Sequence, residues 1–311
     1  MTDGRDGKQY YTGIFFAVLA TIIWSGNFII ARGVIDTISP VSLAFYRWFT
    51  ACIIMLPLAW NIFRKERKTV FRHLRYFFLT GLTGITLFNT FVYIAGHYSS
   101  ATNLALIGTT TSPVFSIVLA AMILGERVSK MQITGMLICI AGILYLLSGG
   151  NMEKLTTFRF STGDAWIILA GFFFAVYNIQ VRKKPADISP LTFLLATFVC
   201  GTLLLSPAFI IDQFYSPAPE FSPALAGVIL YLGLGTSVLA FLFWNAAIVR
   251  IGAGKTALLG NLIPVFSALE AVVWLNESIT RVQLAGGALV LTGLLIANLG
   301  KKARLSSTEV K

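Results

Sequence analysis

The feature that most limits how this chain can fold is a series of ten apolar segments separated by short polar breaks. A transmembrane helix needs about 20 mostly apolar residues, and runs of this length without alternating polarity form helices rather than barrel strands. The sequence therefore predicts an all-α membrane protein with ten transmembrane helices. The limits of the predicted spans are 12–32, 40–60, 75–96, 100–124, 131–148, 163–182, 190–211, 224–249, 254–275 and 282–300.

The composition excludes several other classes of protein. Only 12% of the 311 residues are charged, whereas a soluble domain has about 25%, so an ordinary soluble enzyme is not expected. The three cysteines form no C-x-x-C pair and the two histidines form no metal-binding pair. We therefore expect no metal, no cofactor and no catalytic residues. The net charge of +11 comes from basic residues at the ends of apolar segments, so a lipid bilayer and not a nucleic acid is the expected partner.

The basic residues also predict the orientation in the membrane. With the N-terminus in the cytoplasm, nineteen lysines and arginines fall in cytoplasmic regions and four fall on the other side. Cytoplasmic loops carry the excess of Lys and Arg in membrane proteins. We expect a multi-pass protein of the cell (inner) membrane with both termini in the cytoplasm. The sequence says nothing about oligomeric state and leaves a homodimer open.

The sequence repeats itself at an offset of about 150 residues. The motif Pro113-Val114-Phe115-Ser116 recurs as Pro264-Val265-Phe266-Ser267, and 11 of 32 residues from position 113 onward are identical without a gap. Earlier in the chain, Ile38-Ser39-Pro40 recurs as Ile188-Ser189-Pro190. Matching Pro, Glu, Gln and Gly residues indicate a duplication rather than chance similarity between apolar helices.

Each copy contains five predicted spans, an odd number, so the second copy enters the membrane from the opposite face. Such inverted repeats place a substrate site near the midplane, between the two halves, with alternating access. The predicted organisation is a cytoplasmic tail (1–11), a first five-helix repeat (12–148), an outer linker (149–162), a second five-helix repeat (163–300) and a second cytoplasmic tail (301–311).

These features resemble a known group of transporters. Each copy has a proline within its fourth helix, followed by Leu124-Gly125-Glu126 in the first copy and Leu275-Asn276-Glu277 in the second. Together with the Trp24-to-Phe28 stretch, they make the chain similar to the drug/metabolite transporter superfamily, specifically the ten-helix EamA-type metabolite exporters and their aromatic amino-acid subgroup. The resemblance implies a secondary transporter that exports amino acids or related small metabolites.

Two charged residues lie within predicted spans. Arg47 is in the second span and Glu270 in the ninth, both in the outer half. Charges at bilayer depth are costly and therefore mark functional hypotheses. They are predicted to face the interior, where they either pair or bind opposite ends of a zwitterion. A structural ion pair, or an arginine that extends to the membrane interface, remains the alternative. Glu270 could carry a coupling proton, or the protein could be a facilitator.

Aromatic and amide side chains inside the spans are predicted to line the substrate cavity, because amides facing lipid would be unpaired. The alternative for the aromatic residues is packing or a place in the interfacial belt. The predicted lining residues are Trp24, Asn27, Asn89, Tyr93, Thr109, Ser112, Tyr177, Asn178, Trp244, Asn245 and Asn261.

Pro113 and Pro264 occupy equivalent positions in the two copies. Each removes a helical hydrogen bond, so both helices are predicted to bend near mid-membrane and to act as hinges, with a static kink as the alternative. Other functions left open by the sequence are a multidrug or nucleoside exporter, a passive pore and a membrane-embedded enzyme.

Overall fold

The computed structural model describes residues 3–32, 37–98, 101–151, 153, 162–216, 219–275 and 280–299, and these ranges are almost entirely helical, without a β-strand. The protein is therefore all-α, as predicted. The α-helices in chain order are α1 (Asp3–Arg32), α2 (Pro40–Arg72), α3 (Leu74–Gly81), α4 (Phe88–Tyr98), α5 (Ala101–Leu124), α6 (Lys130–Leu147), α7 (Thr162–Arg182), α8 (Pro190–Tyr215), α9 (Pro223–Leu230), α10 (Ala240–Ile251), α11 (Ala253–Leu259), α12 (Ile263–Leu275) and α13 (Arg281–Leu299).

Among the described residues, four helical stretches are long and apolar enough to cross a membrane: Pro40–Arg72, Thr162–Arg182, Pro190–Tyr215 and Pro223–Ile251. Shorter apolar stretches are Thr111–Leu124, Lys130–Leu146 and Leu284–Ala297. The protein is thus a membrane protein, and the count of ten spans stays a prediction.

The first two helices extend well beyond their predicted spans. The first helix already begins at Asp3, within the predicted tail, and α2 runs through 33 residues to Arg72. At 1.5 Å per residue α2 is about 50 Å long, whereas the hydrocarbon core is about 30 Å thick. Its last turns, rich in Arg and Lys, therefore extend past the apolar layer. We call this end of the bundle, with residues 64–72 and 182–184, the basic end, and the opposite end the far end.

Serine residues determine where several helices begin. Ser39 and Ser189 cap α2 and α8, and each accepts a hydrogen bond from the backbone N–H three residues later, at 3.1 and 3.3 Å. A proline follows each cap, where its missing N–H is not needed. Both helices therefore begin at the first residue of a predicted span, Pro40 and Pro190.

A π-helical segment occurs at the same place in both repeats. Residues Leu82–Leu87 connect α3 to α4, and Tyr231–Leu239 connect α9 to α10. π-Helical turns are rare and are frequent at functional sites. Their recurrence about 150 residues apart supports the duplication independently of sequence identity.

Helix contacts follow the repeat. The pair α1 and α10 corresponds to the pair α7 and α4, and the pair α1 and α12 corresponds to α7 and α5; all four pairs are in contact. Helix α2 packs on its own counterpart α8, and α6 packs on α13. A pseudo-twofold axis therefore passes between α2 and α8 and between α6 and α13.

The α6–α13 seam is built on glycines and reveals the relative direction of the two copies. A methyl group on Gly135 would lie 2.4 Å from the carbonyl oxygen of Gly293, and one on Gly142 would lie 3.0 Å from that of Gly286. The early glycine of one helix therefore contacts the late glycine of the other. The two helices are antiparallel, as two copies in opposite orientation require, and the missing side chains let their backbones approach closely.

Candidate functional site

Three buried side chains from three helices form a hydrogen-bonded chain towards the basic end. The indole N–H of Trp244 donates to Asn178 Oδ1 at 2.9 Å, and Asn178 Nδ2 donates to Ser116 Oγ at 3.1 Å. Asn178 and Ser116 are fully buried and Trp244 is 2% exposed. We call these three residues the basic-end bridge. The bridge joins α5 of the first repeat to α7 and α10 of the second.

A second hydrogen bond lies beside the bridge. The Tyr177 hydroxyl donates to Asn245 Oδ1 at 2.9 Å, and both residues are buried. The Nδ2 atom of Asn245 has no hydrogen-bond partner among the described residues. A buried donor without a partner costs about 1–3 kcal/mol, so this amide is better satisfied when the site contains a ligand or water.

Trp24 packs in an aromatic cluster between the two repeats. Its ring centroid lies 4.9 Å from that of Trp244, 5.6 Å from Phe241 and 5.9 Å from Phe174. Its indole N–H donates to the carbonyl of Thr236, within the second π-helical segment, at 2.9 Å. The first and second copies thus contribute aromatic rings to one packed cluster, in which Trp24 alone is only partly buried.

Arg47 is 5% exposed and lies on the far side of this cluster. Its Nε donates to Ser237 Oγ at 2.7 Å, and its terminal nitrogens lie 3.5 Å from Asn89 Oδ1 and 3.4 Å from the Thr236 carbonyl oxygen. The guanidinium also lies 4.9 Å from the Trp48 ring centroid. All of these partners are neutral, so within the described part of the chain this buried cation is bound by no carboxylate.

Glu270 does not share the hydrogen-bond partners of Arg47. One carboxyl oxygen lies 2.6 Å from Ser25 Oγ, and the other is buried with no hydrogen-bond partner among the residues described. Arg47 and Glu270 therefore do not form the direct ion pair that was one of the predicted alternatives. Tyr231, in the second π-helical segment, lies within electrostatic reach of both.

Asn261 is completely buried in the short 3₁₀ turn Gly260–Leu262, between α11 and α12. Neither its Oδ1 nor its Nδ2 has a hydrogen-bond partner in the described ranges. The side chain lies beside Cys139, but the Cys139 thiol donates to the Val290 carbonyl at 3.4 Å. Asn261 is therefore an unpaired amide close to the interface of the two repeats.

The two prolines differ in their surroundings. Pro113 lies inside the continuous helix α5, whereas Pro264 follows the 3₁₀ turn that interrupts its counterpart. The hydrogen bond that a proline cannot donate is replaced in the second copy by a change of helix type. The hinge role of both prolines stays a prediction.

A cavity of about 250 Å³ opens at the far end, lined in part by Ser39, Thr90 and Asp212. The Asp212 carboxylate accepts hydrogen bonds from the hydroxyls of Ser39 and Ser42, the latter at 2.7 Å. The last turns of α8 thus hold the first turn of α2. The reciprocal contact occurs at the basic end, where Glu66 near the end of α2 accepts from Ser189 at 3.0 Å.

The loops at the basic end contain two further charged groups. The Glu126 carboxylate lies 3.4 Å from the backbone N–H of Ala253, at the start of α11, where the helix dipole favours a negative charge. Lys184 donates to the carbonyl oxygens of Pro185 and Ile188. Burial lowers the pKa of Lys184 below its ordinary value, although the nearby carboxylates of Glu66 and Asp187 act in the opposite direction.

The predicted lining residues are thus distributed over several places. Trp24, Tyr177, Asn178, Trp244 and Asn245 come together around the aromatic cluster. Asn89 contacts Arg47. The Ser112 backbone lies where α5 meets Gly171 of α7. The side chains of Asn27, Tyr93 and Thr109 lie outside the described residues.

Sequence reasoning missed several partners in this region. Ser25, Ser237 and the Thr236 carbonyl all contact predicted residues, and Ser116 belongs to the basic-end bridge. The repeat gave a signal for one of them, because Ser237 aligns with Thr86, a hydroxyl residue in the equivalent π-helical segment. The sequence could not single out the Thr236 carbonyl, because every residue has a backbone carbonyl.

Comparison with known proteins identifies what this architecture resembles. The family described as "EamA-like transporter family" matches residues 11–148 and 161–299, once for each repeat. A probable terminal-alkyne amino-acid exporter of Streptantibioticus cattleyicolor is 27% identical over 300 residues, which cover 94% of this chain and 97% of that protein. An uncharacterised inner membrane transporter of Escherichia coli is 22% identical over 293 residues, covering 93% and 90%.

A solved crystal structure has the same fold, with a TM-score of 0.76 and 18% sequence identity; the match covers 93% of this chain and 97% of that chain. The relatives are named as transporters and not as enzymes.

Proposed function

Since this chain belongs to the EamA-like transporter family, we propose that it exports amino acids or closely related metabolites across the inner membrane by alternating access. The observation that supports this substrate class best is Arg47, a buried guanidinium between the repeats with neutral partners only. An unpaired buried charge is costly. A substrate carboxylate would supply the missing counter-charge through the paired N–H groups of the guanidinium.

The other parts of an amino acid find partners nearby. Glu270 has a buried oxygen that is free to accept from a substrate ammonium group, and Tyr231 interacts electrostatically with both charged side chains. Trp24, the partly buried ring of the aromatic cluster, would contact an apolar or aromatic side chain of the substrate. In this proposal Arg47 and Glu270 bind opposite ends of one zwitterion, which explains why they do not pair with each other.

The basic-end bridge supports alternating access. The bridge joins helices of both repeats, and in this proposal it closes the basic end, so a substrate in the centre leaves at the far end. The repeat lets the same contacts form at the opposite end in the other state. We propose that bending near Pro113 and Pro264 accompanies this exchange, with both termini in the cytoplasm.

Counterflow into proteoliposomes tests the exporter. Vesicles containing the purified full chain are loaded with unlabelled L-phenylalanine, and uptake of labelled L-phenylalanine is followed. We expect a saturable transient accumulation. A flux that rises linearly with concentration and shows no counterflow would mean a passive pore and would overturn the proposal.

A matched set of ligands and variants tests the role of Arg47. Phenethylamine has the same ring and amine as L-phenylalanine but no carboxylate, so we expect it to inhibit counterflow far less than L-phenylalanine. Arg47→Met should abolish this discrimination, whereas Arg64→Met, on the exposed end of the same helix, should keep it. Equal inhibition by both ligands in the unmodified chain would refute carboxylate recognition by Arg47.

A further inference from the structure

The distances around Ser25 and Glu270 indicate how many protons these two side chains carry. Ser25 Oγ lies 2.6 Å from the carbonyl oxygen of Ile22 and also 2.6 Å from Glu270 Oε1. Both distances are at the short end of the range for O–H···O hydrogen bonds. A carbonyl oxygen and an ionised carboxylate can only accept, and a serine hydroxyl has one hydrogen to donate.

Two such contacts therefore need two protons. If one hydrogen were shared between both acceptors, each contact would be longer than an ordinary hydrogen bond, but neither is. Without a second proton, one of the two contacts would press oxygen lone pairs together at 2.6 Å. The arrangement is satisfied when Ser25 donates to Ile22 and a protonated Glu270 donates to Ser25. The available donors and acceptors, together with the heavy-atom positions, assign the hydrogens at this site.

Among the described residues, no cation is bound to the Glu270 carboxylate. The Tyr231 hydroxyl donates to the Ile23 carbonyl at 2.8 Å and not to Glu270, and Arg47 is bound to other groups. The remaining titratable residues on the membrane parts of the helices packed against α12 are Arg32, whose side chain lies outside the described residues, and Arg281, which is exposed at the start of α13. Helix α5 contributes none, and α12 itself has only Glu270.

We infer that Glu270 and Ser25 form a proton-binding site through which export is coupled to proton entry. The inference rests on the proposed function, and it adds the driving force. Glu270 takes up a proton from the external side, keeps it in the state described here and releases it on the cytoplasmic side. The ionised carboxylate is then free for the ammonium group of the substrate, so proton and substrate occupy it in turn.

The proposed cycle determines how much net charge crosses the membrane in each turnover. A zwitterionic substrate leaves with no net charge while one proton enters, so each cycle moves one positive charge inward. Both an inside-alkaline pH difference and an inside-negative potential therefore drive export. A facilitator would respond to neither when its substrate is a zwitterion.

Infrared spectroscopy of the purified full chain in lipid vesicles tests the proton site without any substrate. Exposed carboxyl groups are ionised at pH 7, because their pKa values are about 4, so a protonated carboxyl band at this pH reports a buried acid. We expect such a band, its loss in Glu270→Gln, and its retention in Glu220→Gln, the same change on an exposed loop. Because Asp164 is also buried, only a band that Glu270→Gln removes supports the proposal.

Ser25→Ala provides a second reading of the same site. Removing the acceptor of the carboxyl proton should shift the C=O band to higher frequency, because the acid loses a hydrogen bond. If Glu270→Gln does not fold, Glu270→Asp should move the band, since the shorter side chain no longer reaches Ser25 in the same way. A spectrum of the unmodified chain without a protonated carboxyl at pH 7, or a band that none of these variants changes, would overturn the proton site.

Coupling is measured in vesicles containing a trapped pH dye. Adding L-phenylalanine on one side should move protons in the opposite direction in the unmodified chain, and this movement should be lost in Glu270→Gln. Counterflow without proton movement would overturn coupling and leave the exporter intact. A protonated Glu270 together with absent counterflow would instead overturn the exporter.

Discussion

Asn178 is the central residue of the basic-end bridge, and its replacement tests alternating access. In Asn178→Ala the Trp244 indole N–H and the Ser116 hydroxyl both lose their partner in a fully buried site. An unpaired buried donor costs about 1–3 kcal/mol, and the cost is relieved when the site opens to water. The equilibrium should therefore shift towards the state open at the basic end by about 5- to 140-fold, at 1.4 kcal/mol for each factor of ten.

Cysteine accessibility measures this shift. Ala257, in α11, is 2% exposed and lies one turn after Gly254, which faces Ile117 of α5. Ala257→Cys is labelled with a membrane-impermeant maleimide in inside-out vesicles, in a background in which the native cysteines are replaced by alanine. The labelling rate of Ala257→Cys should be low in this background. Adding Asn178→Ala should raise that rate by up to the factor by which the equilibrium shifts. The replaced cysteines are Cys52, Cys139 and Cys200.

The equivalent substitution in the first repeat provides a control that should change the labelling rate in the opposite direction. Asn178 aligns with Asn27, Ser116 with Ser267 and Trp244 with Tyr93, all at an offset of 151 residues. If the second state forms the equivalent contacts at the far end, Asn27→Ala destabilises that state and should slow the labelling of Ala257→Cys. Equal effects of the two substitutions, or no effect of Asn178→Ala, would refute exchange between two symmetric states.

Three other predictions concern stability. Gly293→Leu should destabilise the fold by about 1–3 kcal/mol, because even a methyl group there would lie 2.6 Å from a carbonyl oxygen of α6. An unchanged size-exclusion profile and melting temperature would contradict the close packing of α6 on α13. Glu126→Gln should cost about 0.3–1 kcal/mol by removing the charge at the start of α11, seen as a lower melting temperature than that of Glu220→Gln. Because burial lowers the pKa of Lys184 in the folded state, the folded chain loses this proton at lower pH than the unfolded chain. The free energy of unfolding should therefore rise from the lowered pKa up to the ordinary value of 10.5, and denaturant titrations should show that Lys184→Met flattens this rise while Lys183→Met does not.

The sequence was sufficient for the helical fold and the repeat because both depend on local or periodic information. Apolar length predicts helices, and serine followed by proline predicts where two of them begin. The alignment also paired Gly135 with Gly286 and Gly142 with Gly293. It could not predict that these glycines meet across the seam, because that requires the position of the pseudo-twofold axis.

The candidate site was predicted less completely for a physical reason. Hydrogen bonds such as those from Trp24 and Arg47 to the Thr236 carbonyl join residues about 190 to 210 positions apart, and the acceptor is a backbone atom. Asn178 was recognisable as a buried amide, but its two partners come from two other helices. Residue type thus indicated which side chains need partners, and only packing determined which partners they have.

The two halves differ where the chemistry is proposed to occur. Contacts on the axis relate a residue to its own counterpart, such as Cys52 with Thr202 at 3.4 Å, and such contacts survive an exchange between the two states unchanged. Arg47 and Glu270 have no charged counterparts, because the equivalent positions are Thr197 and Leu119. In the proposed cycle, coupling requires that proton and substrate occupy the Glu270 carboxylate in turn, and the two gradients set the direction of export. The scaffold therefore supplies two states of similar energy from one duplicated fold, while the unpaired charges determine which ion gradient the exchange can use.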